Sequence, residues 1–481
     1  YTTLFRSQTV TVIFGGKTYT AKVDADGNWT ATVPSADLAG LKDGDASVQV
    51  SVTNAHGNSA SAGREYSVDA TAPTVTIDTV AGDNVINGSE AAAGVAISGT
   101  TTAEAGQTVT VTLGGKSFTA QVQQGGVWSV NVPGSDLTAL ADSGYTVQVS
   151  VSDAAGNPGS AGKTITLDAT PPTVSFNVVA GDDVINSVEH GQAQIVSGSA
   201  TGANVGDKVV ITLGSHQYTT TVDASGNWSV GVPAADVGAL VNGDQTISAT
   251  LTDKAGNSTT ATHEFDVSLT APVVAINTLA ADDVINATEK GQDLQVSGTS
   301  NQPEGTAITV SLNGINYTAT TDASGNWSVT VPAANVSALG EANYTVTANV
   351  TDSVGNSAST SHDVLVDSSL PVVTIDTLAG DNIVNAAEVA AGQTLTGKVT
   401  NAAPGDTVTI TLGGQTFTAT VQDDLTWSLP LTQSQLTALG NGDLTVSASV
   451  TNAHGNTGSS SLDFTIDAQD RKSTRLNSSH L

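Results

Sequence analysis

Asp182 and Asp183 stand side by side in the stretch AGDDVINSVEHG (180–191), followed by Asn186 and then Glu189. The device recurs three times. It appears as AGDNVINGSE with Asp83, Asn84, Asn87 and Glu90, as AADDVINATE with Asp282, Asp283, Asn286 and Glu289, and as AGDNIVNAAE with Asp381, Asn382, Asn385 and Glu388. Oxygen donors at this density suit calcium, which takes about six to eight oxygens from carboxylates, amides and backbone carbonyls. Adjacent carboxylates repel one another, and Lys290, beside one copy, is the one nearby base. A bound cation relieves that repulsion.

Duller readings stand beside this one. Asn-x-x-Glu is also the pattern of a capping box, in which the two side chains satisfy the free N–H groups of a helical turn. For the pairs Asn87/Glu90, Asn186/Glu189, Asn286/Glu289 and Asn385/Glu388 both roles remain open. The aspartates have turn chemistry as their alternative, because Asp and Asn favour loops.

Two further sets of acids recur. A linker aspartate is present as Asp69, Asp168, Asp367 and Asp467, and Ser268 replaces it at one junction. The last interstrand loop carries Asp153, Asp253 and Asp352, with Asn54 and Asn452 in the outer copies. Whether Asp153 and Asp168 meet Asp182 and Asp183 of the following copy depends on the tilt between neighbours. The turns DADGN (24–28) and DASGN (223–227, 322–326) resemble calcium loops superficially, but the matching stretches read QQGGV (123–127) and QDDLT (422–426). They are therefore read as hairpin turns.

Catalytic chemistry finds little support. The seven histidines are scattered, and only His56 and His454 share a position. There is no His-Glu-x-x-His, no nucleophile elbow and no phosphate loop. Acid pairs are able to hydrolyse glycosides, but an active site is built once, whereas these loops recur. A non-enzymatic role is expected.

The elements that position these residues follow from internal repetition. Trp29, Trp128, Trp228, Trp327 and Trp427 recur at steps of 99 or 100 residues, and so do Asn58, Asn157, Asn257, Asn356 and Asn456. Such a period marks a tandem array. Within one unit the apolar residues alternate, as in Val209, Ile211 and Leu213, and again in Trp228, Val230 and Val232. Period two means strands with one buried face, which puts the tryptophans in a core rather than on a sugar-stacking surface. About seven antiparallel strands per unit, plus a helical turn near PAADVGAL (233–240), predict an all-β chain of immunoglobulin-like sandwiches joined end to end as a rod.

Proline-bearing joints at DATAP, DATPP, SLTAP and DSSLP separate an incomplete module at 8–69 from modules at 70–168, 169–268, 269–367 and 368–469. The first lacks the opening strands and the acidic loop. Residues 1–7 and 470–481 read as translated sequencing adaptor and are set aside.

Composition narrows the partners. The net charge of −31 excludes nucleic acid, and no apolar run is long enough to insert into a membrane. Absence of cysteine removes disulfides as staples.

Taken together, the D-x-T-x-P joints, GDDxIN loops, GNW hairpins and D-x-x-GN loops resemble the bacterial immunoglobulin-like repeats of giant biofilm-associated (Bap-like) surface adhesins. That resemblance covers residues 8–469. It implies type I secretion, an extracellular cell-surface location, roles in adhesion and biofilm formation, and Ca²⁺ at module junctions. The junction acids it carries over are Asp78, Asp83, Asp153, Asp168, Asp182, Asp183, Asp253, Asp282, Asp283, Asp352, Asp367, Asp376 and Asp381. Asn177 and Asn277 depart from Asp78 and Asp376, and Ser268 departs from the linker aspartate, so weaker occupancy is expected at those joints.

The leading expectation is a calcium-stiffened stalk. Its partners are neighbouring modules of the same chain, with host or bacterial glycans or proteins engaged through parts outside this sequence. The alternatives are modules that bind glycans or self-associate, which exposed aromatics would reveal, and a spacer from a secreted polysaccharide-degrading enzyme.

Overall fold

The computed structural model describes residues 6–469; the remainder of both adaptor-like ends lies outside the described residues. By contacts the chain divides into two compact units. One holds the first two repeats and part of the third, and the other holds the rest of the third with the fourth and fifth.

The first repeat has four strands: β1 (Thr9–Phe14), β2 (Lys17–Lys22), β3 (Gly44–Thr53) and β4 (Ser59–Val68). They form a single sheet in the order β2-β1-β3-β4. No second sheet covers it among the described residues, and Trp29 is 40% exposed. Core burial of tryptophan therefore fails here, because no strand lies opposite the indole.

The second repeat is complete. Its strands are β5 (Val85–Asn87), β6 (Val95–Thr100), β7 (Thr108–Leu113), β8 (Lys116–Gln121), β9 (Val127–Val132), β10 (Ser143–Ser152) and β11 (Pro158–Asp168). One sheet runs β5-β11-β10-β7-β8, and β6 pairs with β9 in the other. Ile97 and Trp128 from one sheet meet Val111, Val147 and Leu167 from the other in a single apolar cluster. The period-two residues thus become the inner faces of a sandwich. The fourth and fifth repeats have the same five-stranded order and a three-stranded partner sheet.

The expectation of an entirely antiparallel module needs correcting. β5 runs parallel to β11, with Asn87 opposite Asp168. Asn385 lies opposite Asp467 in the same way, and Asn186 opposite Ser268. The first strand breaks in two at the GDD loop, and its second half joins the other sheet beside the last strand. This brings the acidic loop and the linker of one repeat to the same pole.

Each buried tryptophan lies opposite a glycine: Gly99 faces Trp128, Gly298 faces Trp327 and Gly397 faces Trp427. A Cβ on Gly298 would stand 1.9 Å from the Ala275 carbonyl oxygen and 2.4 Å from the Trp327 ring. Only glycine lets the indole lie flat against that strand.

Candidate functional site

The paired acids turn out to be local caps. Asp83 Oδ1 accepts from Val85 N–H at 2.8 Å, Asp182 Oδ1 from Val184 N–H at 3.1 Å, Asp282 Oδ1 from Val284 N–H at 3.1 Å and Asp381 Oδ1 from Ile383 N–H at 2.9 Å. The residue after each is left-handed: φ is 70° at Asn84, 62° at Asp183, 64° at Asp283 and 64° at Asn382. Asn and Asp tolerate that region best among side-chain-bearing residues. Asn84, Asp283 and Asn382 also accept from Val80, Leu279 and Leu378 N–H. This is the geometry of the turn-chemistry reading, and it uses one carboxylate oxygen of each leading aspartate.

The Asn-x-x-Glu pairs also cap. Asn87 and Glu90 form a reciprocal capping box on the helix Gly88–Ala93, as do Asn385 and Glu388 on Ala386–Ala391. Asn186 with Glu189 and Asn286 with Glu289 exchange the same two hydrogen bonds. The asparagine Oδ1 and one oxygen, Oε2, of each glutamate are taken by backbone N–H groups.

What these turns present to the next repeat is a backbone socket. The asparagine of the D-x-x-GN loop fills it. Asn257 donates through Nδ2 to the Asp168 carbonyl at 2.8 Å, and its Oδ1 accepts from Gly88 N–H at 2.7 Å. Asn356 makes the same pair of bonds with Ser268 O (2.9 Å) and Ser187 N–H (2.7 Å), and Asn456 with Asp367 O (2.8 Å) and Ala287 N–H (2.7 Å). Asn157 reaches Asp69 O at 3.1 Å. In three of these loops the aspartate four residues earlier holds the amide: Asp253 Oδ2 accepts from Asn257 Nδ2 at 3.0 Å and Asp153 Oδ2 from Asn157 Nδ2 at 2.9 Å. Asp352 does the same for Asn356. The sequence left open whether Asp153 reaches the following repeat. Asp153 faces the preceding repeat, not Asp182 and Asp183 of the following one.

Sequence reasoning noted this asparagine only as a marker of the period. Its fivefold recurrence, against the variability of the neighbouring acids, was the available signal.

Acids do gather at the second of these joints. Burial pushes the Asp168 carboxyl up, and the carboxylates of Asp253, Asp142 and Asp207 add to the effect. Asp207 was not singled out from the sequence. It is 3% exposed; its Oδ2 accepts from Asn204 N–H at 2.7 Å, and its buried Oδ1 has no hydrogen-bond partner. Among the described residues no three His, Asp or Glu side chains converge at metal-ligand spacing. A calcium shell also draws on backbone carbonyls and water, which such a grouping omits. The orphaned, buried Asp207 Oδ1 near the Asp168 linker carboxylate is the oxygen here whose chemistry suits a hard cation, with carbonyls and water left to complete a shell.

The other joints differ. At the first, Asp43 accepts from Ala70 N–H and Thr71, near Asp153, and Glu104 accepts from Ala154 N–H. The Asp367 linker is engaged by His454 Nδ1 at 2.6 Å and lines a cleft of about 410 Å³ with Asp406 and Asn452. At the third joint Ser268 and Asn242 stand where the second has Asp168 and Asp142, and Asn242 caps Leu269 N–H. Asp78 and Asp376 each use one carboxylate oxygen within their own repeat. They accept from Ser98 and Thr396 hydroxyls across a strand pair, where Asn177 and Asn277 serve equally by donating to Ser197 and Ser297.

Glu341 ties a linker electrostatically. It accepts from Ser368 N–H, from the Ser368 hydroxyl and from Lys290. These bonds hold its pKa down, from 4.5 to about 2. A carboxylate with a depressed folded pKa stabilises above its unfolded value and loses that contribution as pH falls toward the folded one. A pH titration of thermal stability should show this contribution fading between about pH 4.5 and pH 2, and Glu341→Gln should remove it.

A bacterial Ig-like domain family matches residues 74–169 and 278–368, and a further group of bacterial Ig-like domains matches 325–430. Among solved structures, a Ca²⁺-stabilised adhesin that helps an Antarctic bacterium reach out and bind ice is 36% identical, over 83% of this chain and all of that one, with a TM-score of 0.40. A structure concerned with host cell surface retention of a 1.5-MDa bacterial ice-binding adhesin is 33% identical, over 62% and 98% of the two chains, with a TM-score of 0.37. A bacterial immunoglobulin-like domain from the M. primoryensis ice-binding adhesin is 46% identical, over 21% of this chain and all of that one, with a TM-score of 0.18. No curated protein sequence matches.

Proposed function

The chain belongs to the bacterial Ig-like repeats found in large adhesins, and from that premise we propose that it is a calcium-stiffened segment of an extracellular adhesin stalk. In this reading the modules are 8–69, 70–168, 169–268, 269–367 and 368–469. They project an adhesive part away from the bacterial cell, in a protein exported by type I secretion and serving attachment or biofilm formation.

The observation that carries the proposal is the buried, half-partnered carboxylate of Asp207 beside Asp168 and Asp253. Asp168 closes one repeat, whereas Asp207 and Asp253 belong to the next. A cation held between Asp207 and Asp168 is a bond between modules. When bound, calcium supplies the positive charge that lets these carboxylates share one buried site. The chain's own part is to orient them. The Asn257 amide fixes Asp253, and Asn204 N–H fixes Asp207. Asp142 accepts from Ala169 N–H at 2.8 Å and sets the linker course after Asp168.

Extracellular sites of this kind have dissociation constants of about 10⁻⁴–10⁻³ M. At ten times that constant one site stabilises by about 1.4 kcal/mol. Thermal unfolding and small-angle scattering of the whole chain, in calcium and in chelator, test the reading. Higher melting and greater stiffness in calcium are expected, with a smaller response in Asp207→Asn. Identical melting and dimensions in both buffers would sink it.

A further inference from the structure

In three repeats a side-chain clasp joins a hairpin to the short helix beside it. Lys116 Nζ donates to Asp136 Oδ1 at 2.7 Å in the second repeat. Lys17 and Tyr19 both donate to Asp37 in the first, and Asn335 Nδ2 donates to the Tyr317 hydroxyl at 2.9 Å in the fourth. The fifth repeat has Gln415, Phe417 and Gln435 at these positions. Phe417 has no hydroxyl to offer. Gln435 turns its Oε1 back to Thr432, accepting from the N–H and the hydroxyl, both at 2.8 Å. Among the described residues no clasp forms here. A cleft of about 330 Å³ lies instead between the strands Thr407–Leu412 and Gln415–Thr420 and the helix Gln433–Leu439. Phe417, Leu431 and Leu439 give it an apolar wall, and Gln415, Ser434 and Gln435 give it polar groups.

We propose that this cleft binds one neutral sugar residue of a glycan. Small-ligand sites are concave, of about 300–1,000 Å³, with apolar walls and a few placed polar groups. This one stands at the lower end of that range, which suits a single ring. A sugar ring has C–H faces that pack on Phe417, Leu431 and Leu439, and a rim of hydroxyls that both donate and accept. Side-chain amides and a serine hydroxyl also do both. Gln415 and Ser434 are exposed, and their side chains make no hydrogen bond within the described residues. No charged side chain lines the cleft, so nothing there pairs with an ionic ligand. The net charge of −31 further disfavours an acidic sugar. The fifth repeat therefore contacts a glycan itself, which goes beyond the role of a spacer and does not depend on calcium.

The test uses the full chain with the methyl α-glycosides of glucose, galactose and mannose, followed by saturation-transfer NMR. At the ligand efficiency usual for small ligands, a single hexose binds with a Kd of about 1 mM, so titration to about 20 mM reaches saturation. Saturable transfer to at least one glycoside is expected. Gln415→Lys with Gln435→Asp rebuilds the clasp of the second repeat, and Ala438→Lys places a long side chain of good helix propensity over the cleft. Each should weaken binding at least roughly tenfold, with unchanged far-ultraviolet circular dichroism and cooperative melting showing that the repeat remains folded. No transfer to any of the three glycosides overturns the proposal, as does undiminished binding in either folded variant. Methyl glucuronide binding as tightly as the neutral glycosides overturns the neutral class. Transfer to N-acetyl-leucinamide but to no glycoside overturns it in favour of an apolar peptide side chain.

Discussion

Gly298→Ala should unfold the fourth repeat while leaving the others folded. The added methyl would sit 1.9 Å from the Ala275 carbonyl oxygen and 2.4 Å from Trp327, and the first of these atoms is backbone that cannot rotate away. Overpacking of a close-packed core costs about 1–3 kcal/mol when side chains are able to adjust, and more when they are not. A loss of at least about 3 kcal/mol is expected here, comparable to the ~3–5 kcal/mol for truncating a buried tryptophan. Limited proteolysis reads the result, with new cleavage confined to residues 269–367. Gly291→Ala is the control, because a Cβ there meets nothing within 4 Å. Equal resistance of both variants would show that the strand opposite the indole shifts freely.

Asn356→Ala should uncouple the third and fourth repeats whether calcium is present or not. Asn356 is fully buried, and its amide joins Ser268 O to Ser187 N–H. Truncation leaves a buried donor and a buried acceptor without partners, at about 1–3 kcal/mol each, offset in part by water entry. A net loss of about 2–4 kcal/mol at the joint corresponds to a roughly 30- to 1,000-fold fall in exchange protection of the Ser187 amide. Unchanged protection would mean that the bond is incidental to the joint. This junction has Ser268 in place of a linker aspartate, so the asparagine carries a larger share of the coupling there than at the joint with Asp168, Asp207 and Asp253. Calcium should accordingly rescue Asn257→Ala better than Asn356→Ala.

The shared element is the D-x-x-GN loop. Gly256, Gly355 and Gly455 have φ of 92°, 95° and 79°, which turns the chain so that the next residue points back at the preceding repeat. Asn186 Nδ2 would lie 2.9 Å from a Cβ on Gly355, so a side chain is excluded there on two counts. Asp352 then fixes the amide orientation that sends Nδ2 to the carbonyl and Oδ1 to the N–H.

Much of this protein was determined by sequence alone. The hundred-residue period, the strand faces, the hairpin turns and the buried tryptophans follow from local periodicity and turn chemistry, which act over a few residues and leave their pattern in the chain. The exception, Trp29, needs a strand opposite it, and strand pairing is a long-range property. The candidate site was legible only in part. Asp153, Asp168 and Asp253 stood out as repeated acids, and so did Asp182 and Asp183, the second of which sits in a left-handed turn. Asp207 lies 39 positions from Asp168 in an unremarkable turn, VGD, and nothing local marks it. The crossing of the first strand to the other sheet decided which loops share a pole, and hence which carboxylates are buried together. Charge repulsion and burial depend on separation in space, so only the tertiary structure could set them.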